Sequence, residues 1–195
     1  MSQFQELSED PWILIQELMS WSPPKERGKP RTNLKRVWNA ILYILTHGCR
    51  WEDLLKDARY AHRATAHRWL MFWQKAGVFD RVLTGLLQKA ATEGKIDWNR
   101  LIGDGSFSPA PGDGSEVAHG YKGKRSLLHL LVDAKGSCLA MTSTGANGNE
   151  RKELLALIDR VKPLSGKQEM IVVEADKGYD SAELRQELLN RGFFR

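Results

Sequence analysis

One stretch near the end of the chain, Met170-Ile-Val-Val-Glu-Ala-Asp-Lys-Gly-Tyr-Asp180, restricts the fold more than any other. Met170 to Val173 form a short apolar, β-branched run that predicts a buried strand. The run leads into the acid Asp176, and Gly178 breaks the pattern. Ser181 then fits an N-cap, with Ala182, Glu183, Leu184, Leu188 and Leu189 supplying a helical period behind it. A carboxylate at the C-terminal edge of a buried strand, facing a glycine turn, is a common way to present a metal ligand in a cleft.

A second segment repeats the pattern upstream. Leu101-Ile-Gly-Asp-Gly-Ser-Phe107 predicts a short strand ending on Asp104, with a glycine on each side. The two acids stand 176 − 104 = 72 positions apart. That separation has room for two more strands and a helix, so both acids can converge on one edge of a single sheet. On local sequence alone, Asp104 also suits a plain turn position.

Between and beyond these segments the pattern is α/β. Ser126 to Val132 and Cys138 to Thr144 predict strands joined by the turn Asp133-Ala-Lys-Gly136, hence a hairpin. Ser108 to Gly123 is a loop rich in Gly, Pro and Ser. Glu150 to Val161 is a helix with Leu154, Leu157, Ile158 and Val161 on one face. The order β-β-β-α-β-α implies a mixed sheet in a domain spanning about residues 96–195. Asp113, Asp133 and Asp180 suit turn or cap positions. His119 and His129 suit structural roles, His129 because it falls in an apolar strand.

Residues 1 to about 95 are expected to be all helix. Glu9-Asp-Pro11 opens a helix with Trp12, Ile15, Leu18 and Met19 on its apolar face. Ser22 to Pro30 is a basic, proline-bearing linker. Asn33 caps an amphipathic helix carrying Val37, Ile41, Ile44 and Leu45, and Gly48 ends it. Trp51 to Leu55, about Ala64 to Lys75, and Val78 to Ala91 supply three more helices. Trp38, Trp51, Trp69 and Trp73 occupy apolar positions and are expected in the core. A helix, a glycine turn, a short helix and then a helix bearing Arg63, Thr65, His67 and Arg68 is the layout of a helix-turn-helix unit. A plain helical bundle with a solvated basic face fits the same pattern.

The chain has 195 residues and a formal net charge of +5, which favours a polyanionic partner. The excess is concentrated at Lys25, Arg27, Lys29, Arg31, Lys35 and Arg36. Tyr121, Lys122, Lys124 and Arg125 form a second basic group, suited to gripping phosphates or to solvating a loop. Cys49 and Cys138 are far apart in no pairing motif, so a reducing cytoplasm is the default. No apolar run reaches membrane-spanning length, and no signal peptide opens the chain. A zinc site, a hydrolase triad and a phosphate-binding loop all lack their motifs.

Gly-Asp-Gly-Ser-Phe (103–107), His119-Gly-Tyr-Lys-Gly-Lys124, Leu128 to Gly136 and Ala175-Asp-Lys-Gly-Tyr-Asp180 together resemble bacterial insertion-sequence transposases of the DDE type. Gly48-Cys-Arg-Trp-Glu-Asp-Leu-Leu55, Arg68-Trp69 and Gly77-Val-Phe79 resemble the helical N-terminal domain of the same group. The resemblance implies a ribonuclease H-like fold behind a DNA-binding helical domain. It implies Asp104 and Asp176 as catalytic acids and ligands of Mg²⁺ or Mn²⁺, two ions about 4 Å apart serving an in-line phosphoryl displacement. The DNA contacts expected are Arg31, Lys35, Arg36, Arg63, Thr65, His67, Arg68, Lys122 and Lys124, against terminal inverted repeats and target DNA.

The family's third acid, a Glu, lies on a helix after the next strand, and this chain stops at Gly192-Phe-Phe-Arg195. Glu183 and Glu187 come too early to be that residue. The expectation is therefore an incomplete ribonuclease H-like domain in a truncated bacterial, cytoplasmic transposase. An alternative is an inactive DNA-binding remnant that regulates an intact transposase. An uncovered sheet edge also predicts self-association or pairing with full-length transposase.

Overall fold

The computed structural model describes residues 4–20, 32–109, 118–120, 123–165 and 171–194. The basic linker at 22–30, together with Arg31, Asp113, Tyr121 and Lys122, lies outside them, as do the side chains of His119 and Lys124. The chain divides into two compact units, Met1–Leu86 and Leu87–Arg195. The division falls inside a helix rather than near residue 95, because Leu87, Ala90 and Ala91 pack against the core of the second unit.

The first unit is helical. α1 (Glu9–Met19) carries Glu9 and Asp10 in its first turn, where carboxylates complement the positive end of the helix dipole. It buries Trp12, Ile15 and Met19, one helical stripe. α2 (Leu34–His47) starts where the Asn33 side chain accepts from the backbone amides of Lys35 and Arg36. It ends at Gly48, whose φ of +61° closes the last turn with little steric cost. Val37, Ile41 and Ile44 are buried as the period requires, whereas Leu45 is exposed. Leu45 stands in the last turn of α2, beyond the buried residues Val37 to Ile44, which corrects the expectation that it faces inward.

Trp51 to Leu55 form no second full helix. Only a single 3₁₀ turn, Trp51–Asp53, is present, followed by non-helical backbone to His62. α3 (Arg63–Lys75) and α4 (Val78–Thr92) follow. Trp38 and Trp73 are buried and stacked, with ring centroids 5.4 Å apart. Trp51 and Trp69 pack against this core but are only half-buried. Buried Asn39 joins the loops: its Oδ1 accepts from Leu7 N–H at 3.0 Å and its Nδ2 donates to the Arg59 carbonyl at 3.5 Å.

The second unit is a six-stranded mixed sheet with helices packed on it. β1 is Arg100–Pro109, β2 Ala118–Gly120, β3 Gly123–Asp133 and β4 Cys138–Gly145. α5 (Glu150–Ser165), β5 (Ile171–Ala175), α6 (Ala182–Asn190) and β6 (Phe193–Phe194) complete it. The path runs β2-β3-β1-β5-β6, with β4 also paired to β3. β1 is antiparallel to β3 and parallel to β5, and β6 is parallel to β5. Leu101, Leu131, Leu139 and Val173 meet Leu154, Leu157, Ile158, Val161, Leu184 and Leu188 in one core. The α/β expectation holds, including the β3–β4 hairpin, whose turn places Gly136 at φ +82°.

Three strands depart from expectation. β1 does not end at Asp104 but runs on to Pro109, because β3 continues to pair with it through Pro109↔Arg125. The loop after it contains the short strand β2, hydrogen-bonded to the start of β3. A strand also begins at Phe193, where pairing with Ile171 and Val172 extends the sheet. Val172 and its partner Phe194 are both exposed there. Among the described residues no helix is long and apolar enough to cross a membrane.

Candidate active site

The parallel ladder between β1 and β5 brings the two acids together. Its last registered pair is Gly103↔Ala175, so Asp104 and Asp176 are each the next residue on neighbouring strands. Adjacent strands lie about 4.8 Å apart, and both side chains are exposed. Beyond this point β5 ends. Asp176 caps a 3₁₀ turn, Lys177–Tyr179, its carboxylate accepting from Lys177 N–H at 2.5 Å. Asp104 Oδ1 accepts likewise from the amide of its successor, Gly105, at 2.8 Å.

The glycines flanking Asp104 have a steric reason. A Cβ at position 103 would stand 2.5 Å from Leu154 Cδ1 of α5, and one at position 105 would stand 2.8 Å from the Tyr179 hydroxyl. Alternation along a strand puts both positions on the face opposite Asp104. A side chain at position 103 would displace the tip of Leu154, and one at position 105 would press on the Tyr179 hydroxyl.

Two further groups join this site. Glu150 reads only as the start of a helix, yet its carboxylate oxygens lie 3.4 Å from a Cβ position at Gly105 and 3.7 Å from one at Gly178. Tyr179 is buried beside it. Burial, then the negative charges of Glu150, Asp104 and Asp176, push its phenol up to about 12. That ordering puts all three carboxylates within electrostatic reach of one hydroxyl. Among the described residues, however, no group of three or more His, Cys, Asp or Glu side chains is placed to hold a metal ion.

The neighbouring candidates are structural. Asp133 is buried and accepts three backbone amides. Asp180 pairs with Arg185 at 3.4 Å. His129 is buried, with Nε2 2.8 Å from Thr144 Oγ1, while Nδ1 has no hydrogen-bond partner among the described residues. Burial holds this imidazole below its usual pKa, against the opposing charges of Glu153 and Glu150.

In the helical unit the basic candidates separate. Lys35 Nζ pairs with Glu9 Oε1 at 2.6 Å, and Arg36 donates to the Tyr60 carbonyl at 3.1 Å, so both are engaged within the unit. Arg63, His67 and Arg68 are exposed on the N-terminal half of α3, with Thr65 half-buried. Arg63, His67 and Arg68 line a groove with Arg50 and Trp51, which sequence reasoning did not select. The 3₁₀ turn folds these two residues onto α3, setting the Trp51 ring edge-on to His67 at 5.2 Å. Glu52 and Asp53 partly balance Arg50, at 2.9 and 3.2 Å.

Comparison with known proteins agrees with both halves. Residues 7–83 match the family described as "Putative transposase of IS4/5 family (DUF4096)", and residues 99–194 match "Transposase DDE domain". The chain is 33% identical over 116 residues to the "Insertion element IS402 uncharacterized 16.2 kDa protein" of Burkholderia cepacia, covering 57% of this chain and 78% of that one. It is 45% identical over 69 residues to the "Putative transposase for insertion sequence element IS402" of the same organism, covering 33% of each. The chain thus matches about a third of that transposase's length. The solved "Mos1 transposase paired-end complex with left transposon end" is 12% identical with a TM-score of 0.37, covering 95% of this chain and 65% of that one, a likeness too loose to carry an argument. The matches to both halves, and the coverage of most of the smaller IS402 protein, establish that this chain belongs to the insertion-sequence DDE transposase family.

Proposed function

We propose that the chain serves DNA transposition, gripping DNA through the exposed N-terminal half of α3 and holding a divalent cation at Asp104 and Asp176. The observation that carries this reading is the register of β1 on β5, which makes the acids neighbours at the end of the parallel ladder. Two exposed carboxylates fit such an ion, since Mg²⁺ is commonly held by one or two carboxylates with water and substrate phosphates completing its shell. When bound, the metal stabilises the attacking and leaving oxygens of a phosphoryl displacement. The protein's own part is positional: Arg63 and Arg68 neutralise the DNA backbone, His67 helps to orient it, and the two acids define where the cation sits.

A second reading has its own support. No third ligand joins the acids among the described residues, which favours a chain that binds terminal repeats without cutting them and competes with a complete transposase. One experiment separates the two. A labelled duplex carrying the element's terminal repeat is assayed for binding by anisotropy and for nicking in Mg²⁺ or Mn²⁺. The first reading expects metal-dependent nicking that Asp104→Asn and Asp176→Asn each abolish while binding persists. Tight binding with no nicking selects the second, and absence of both refutes each.

A further inference from the structure

Tyr179 is a side chain that neither the acid pair nor the DNA contacts account for. It is 3% exposed and belongs to the core of the sheet unit. Its hydroxyl lies 2.8 Å from where a Cβ on Gly105 would stand, and Gly105 directly follows Asp104. A long flexible chain could yield to such a methyl, but a phenol has two torsions and this one is enclosed. Tyr179 is also bound to the other acid: its N–H donates to the Asp176 carbonyl at 3.0 Å, closing the 3₁₀ turn. α5 braces that turn, with Arg151 Nη2 3.4 Å from the carbonyl oxygens of Gly178 and Asp180. A displaced ring would therefore carry the Asp176 turn with it.

We infer that Tyr179 is a positioning residue of the two-carboxylate site: its phenol, seated on Gly105, sets how closely the Asp176 turn approaches the Asp104 strand. The inference rests on the metal-binding reading above and assigns Tyr179 no contact with metal or DNA. It explains why a glycine follows Asp104 and an aromatic stands three residues after Asp176. The pair behaves as a ball and socket joining two segments far apart in the chain.

A double-substitution cycle tests it on the full chain. Gly105→Ala places a methyl against the hydroxyl. Gly105→Ala combined with Tyr179→Phe removes the clash, because every other heavy atom around that methyl is 3.4 Å away or farther. Two readouts are taken: the thermal midpoint, and binding of Mn²⁺ alone by loss of the free-ion electron paramagnetic resonance signal. Gly105→Ala is expected to weaken Mn²⁺ binding by about 10–100-fold, the usual effect of disturbing the support of a metal ligand. The double variant is expected to recover affinity to within about threefold and to regain the lost midpoint. Leu188→Ala, a core cavity in α6, is expected to lower the midpoint while sparing Mn²⁺ affinity. Unchanged Mn²⁺ affinity in Gly105→Ala overturns the positioning role and leaves the metal reading intact. A double variant that stays weak, or unfolded, also overturns it. Absence of Mn²⁺ binding by the parent chain overturns the metal reading, and the positioning role with it.

Discussion

Asp133 offers the sharpest quantitative test of how the sheet unit is held together. It is 0% exposed, at the end of β3. Its Oδ1 accepts from the amides of Lys135 at 3.0 Å and Ser137 at 2.7 Å, and its Oδ2 from the amide of Asp97 at 3.0 Å. One carboxylate thus ties the β3–β4 turn to the segment leading into β1. Asp133→Asn keeps an acceptor for the two turn amides but sets an NH₂ group against Asp97 N–H. The lost charge-assisted bond is worth about 1.5–3 kcal/mol, partly offset because a neutral amide costs less to bury, so a net loss of about 1–2 kcal/mol is expected. Asp133→Ala leaves all three amides without their acceptor and is expected to cost about 3–4 kcal/mol.

The assay is urea unfolding followed by circular dichroism, with unchanged slope as the sign that stability alone has moved. The pH dependence adds a second check. Burial alone would raise the Asp133 carboxyl, but the backbone amides of Asp97, Ser137 and Lys135 outweigh it and hold the group below the usual carboxylate range. A depressed folded pKa contributes stability that is present above the unfolded value, about 3.9, and is lost as pH falls through the folded value. The gap between the parent protein and Asp133→Asn should therefore be full near neutrality and shrink below about pH 4. A change under about 0.5 kcal/mol at neutral pH, or a gap that persists at low pH, refutes the reasoning.

Two further outcomes follow from other parts of the molecule. Arg63→Ala and Arg68→Ala should each weaken binding to any duplex and lower the salt slope by about one, read from anisotropy titrations at several salt concentrations; an unchanged slope places the DNA elsewhere. Ser181→Ala removes the Oγ acceptor 3.1 Å from Leu184 N–H at the start of α6 and should cost about 1 kcal/mol in chemical denaturation, with a loss near zero showing the cap to be idle.

Much of this architecture was legible because its causes are local. Asn33 and Ser181 announce helix starts, since a side-chain oxygen satisfies amides one turn ahead. Gly48 and Gly136 announce reversals because each adopts a positive φ. The apolar period in 154–161 identified the inward face of α5 correctly. Local reasoning failed where long-range contacts intervene. β1 continues past Asp104 because β3 offers partners as far as Arg125. Residues 51–55 make only one 3₁₀ turn because Arg50 and Trp51 fold against α3 rather than continuing as helix.

For the candidate site the division runs along the same physical line. Residue type and position singled out Asp104 and Asp176, because an apolar run leading to an acid and a glycine is written within a few consecutive residues. Their adjacency depends on the register of β1 against β5, set by burying Leu101 and Val173 under α5 and α6. The same packing brings in Glu150, which reads only as a helix start, and sets Tyr179, inside the Asp176 motif, against Gly105. It also explains the two glycines beside Asp104, which leave clearance for Leu154 and Tyr179. Sequence by itself determined where most helices and strands begin and which two acids follow apolar runs, since capping and periodicity act over a few residues. Tertiary structure alone decided which of those segments touch, since sheet register and close packing are settled only when distant parts of the chain bury their apolar faces together.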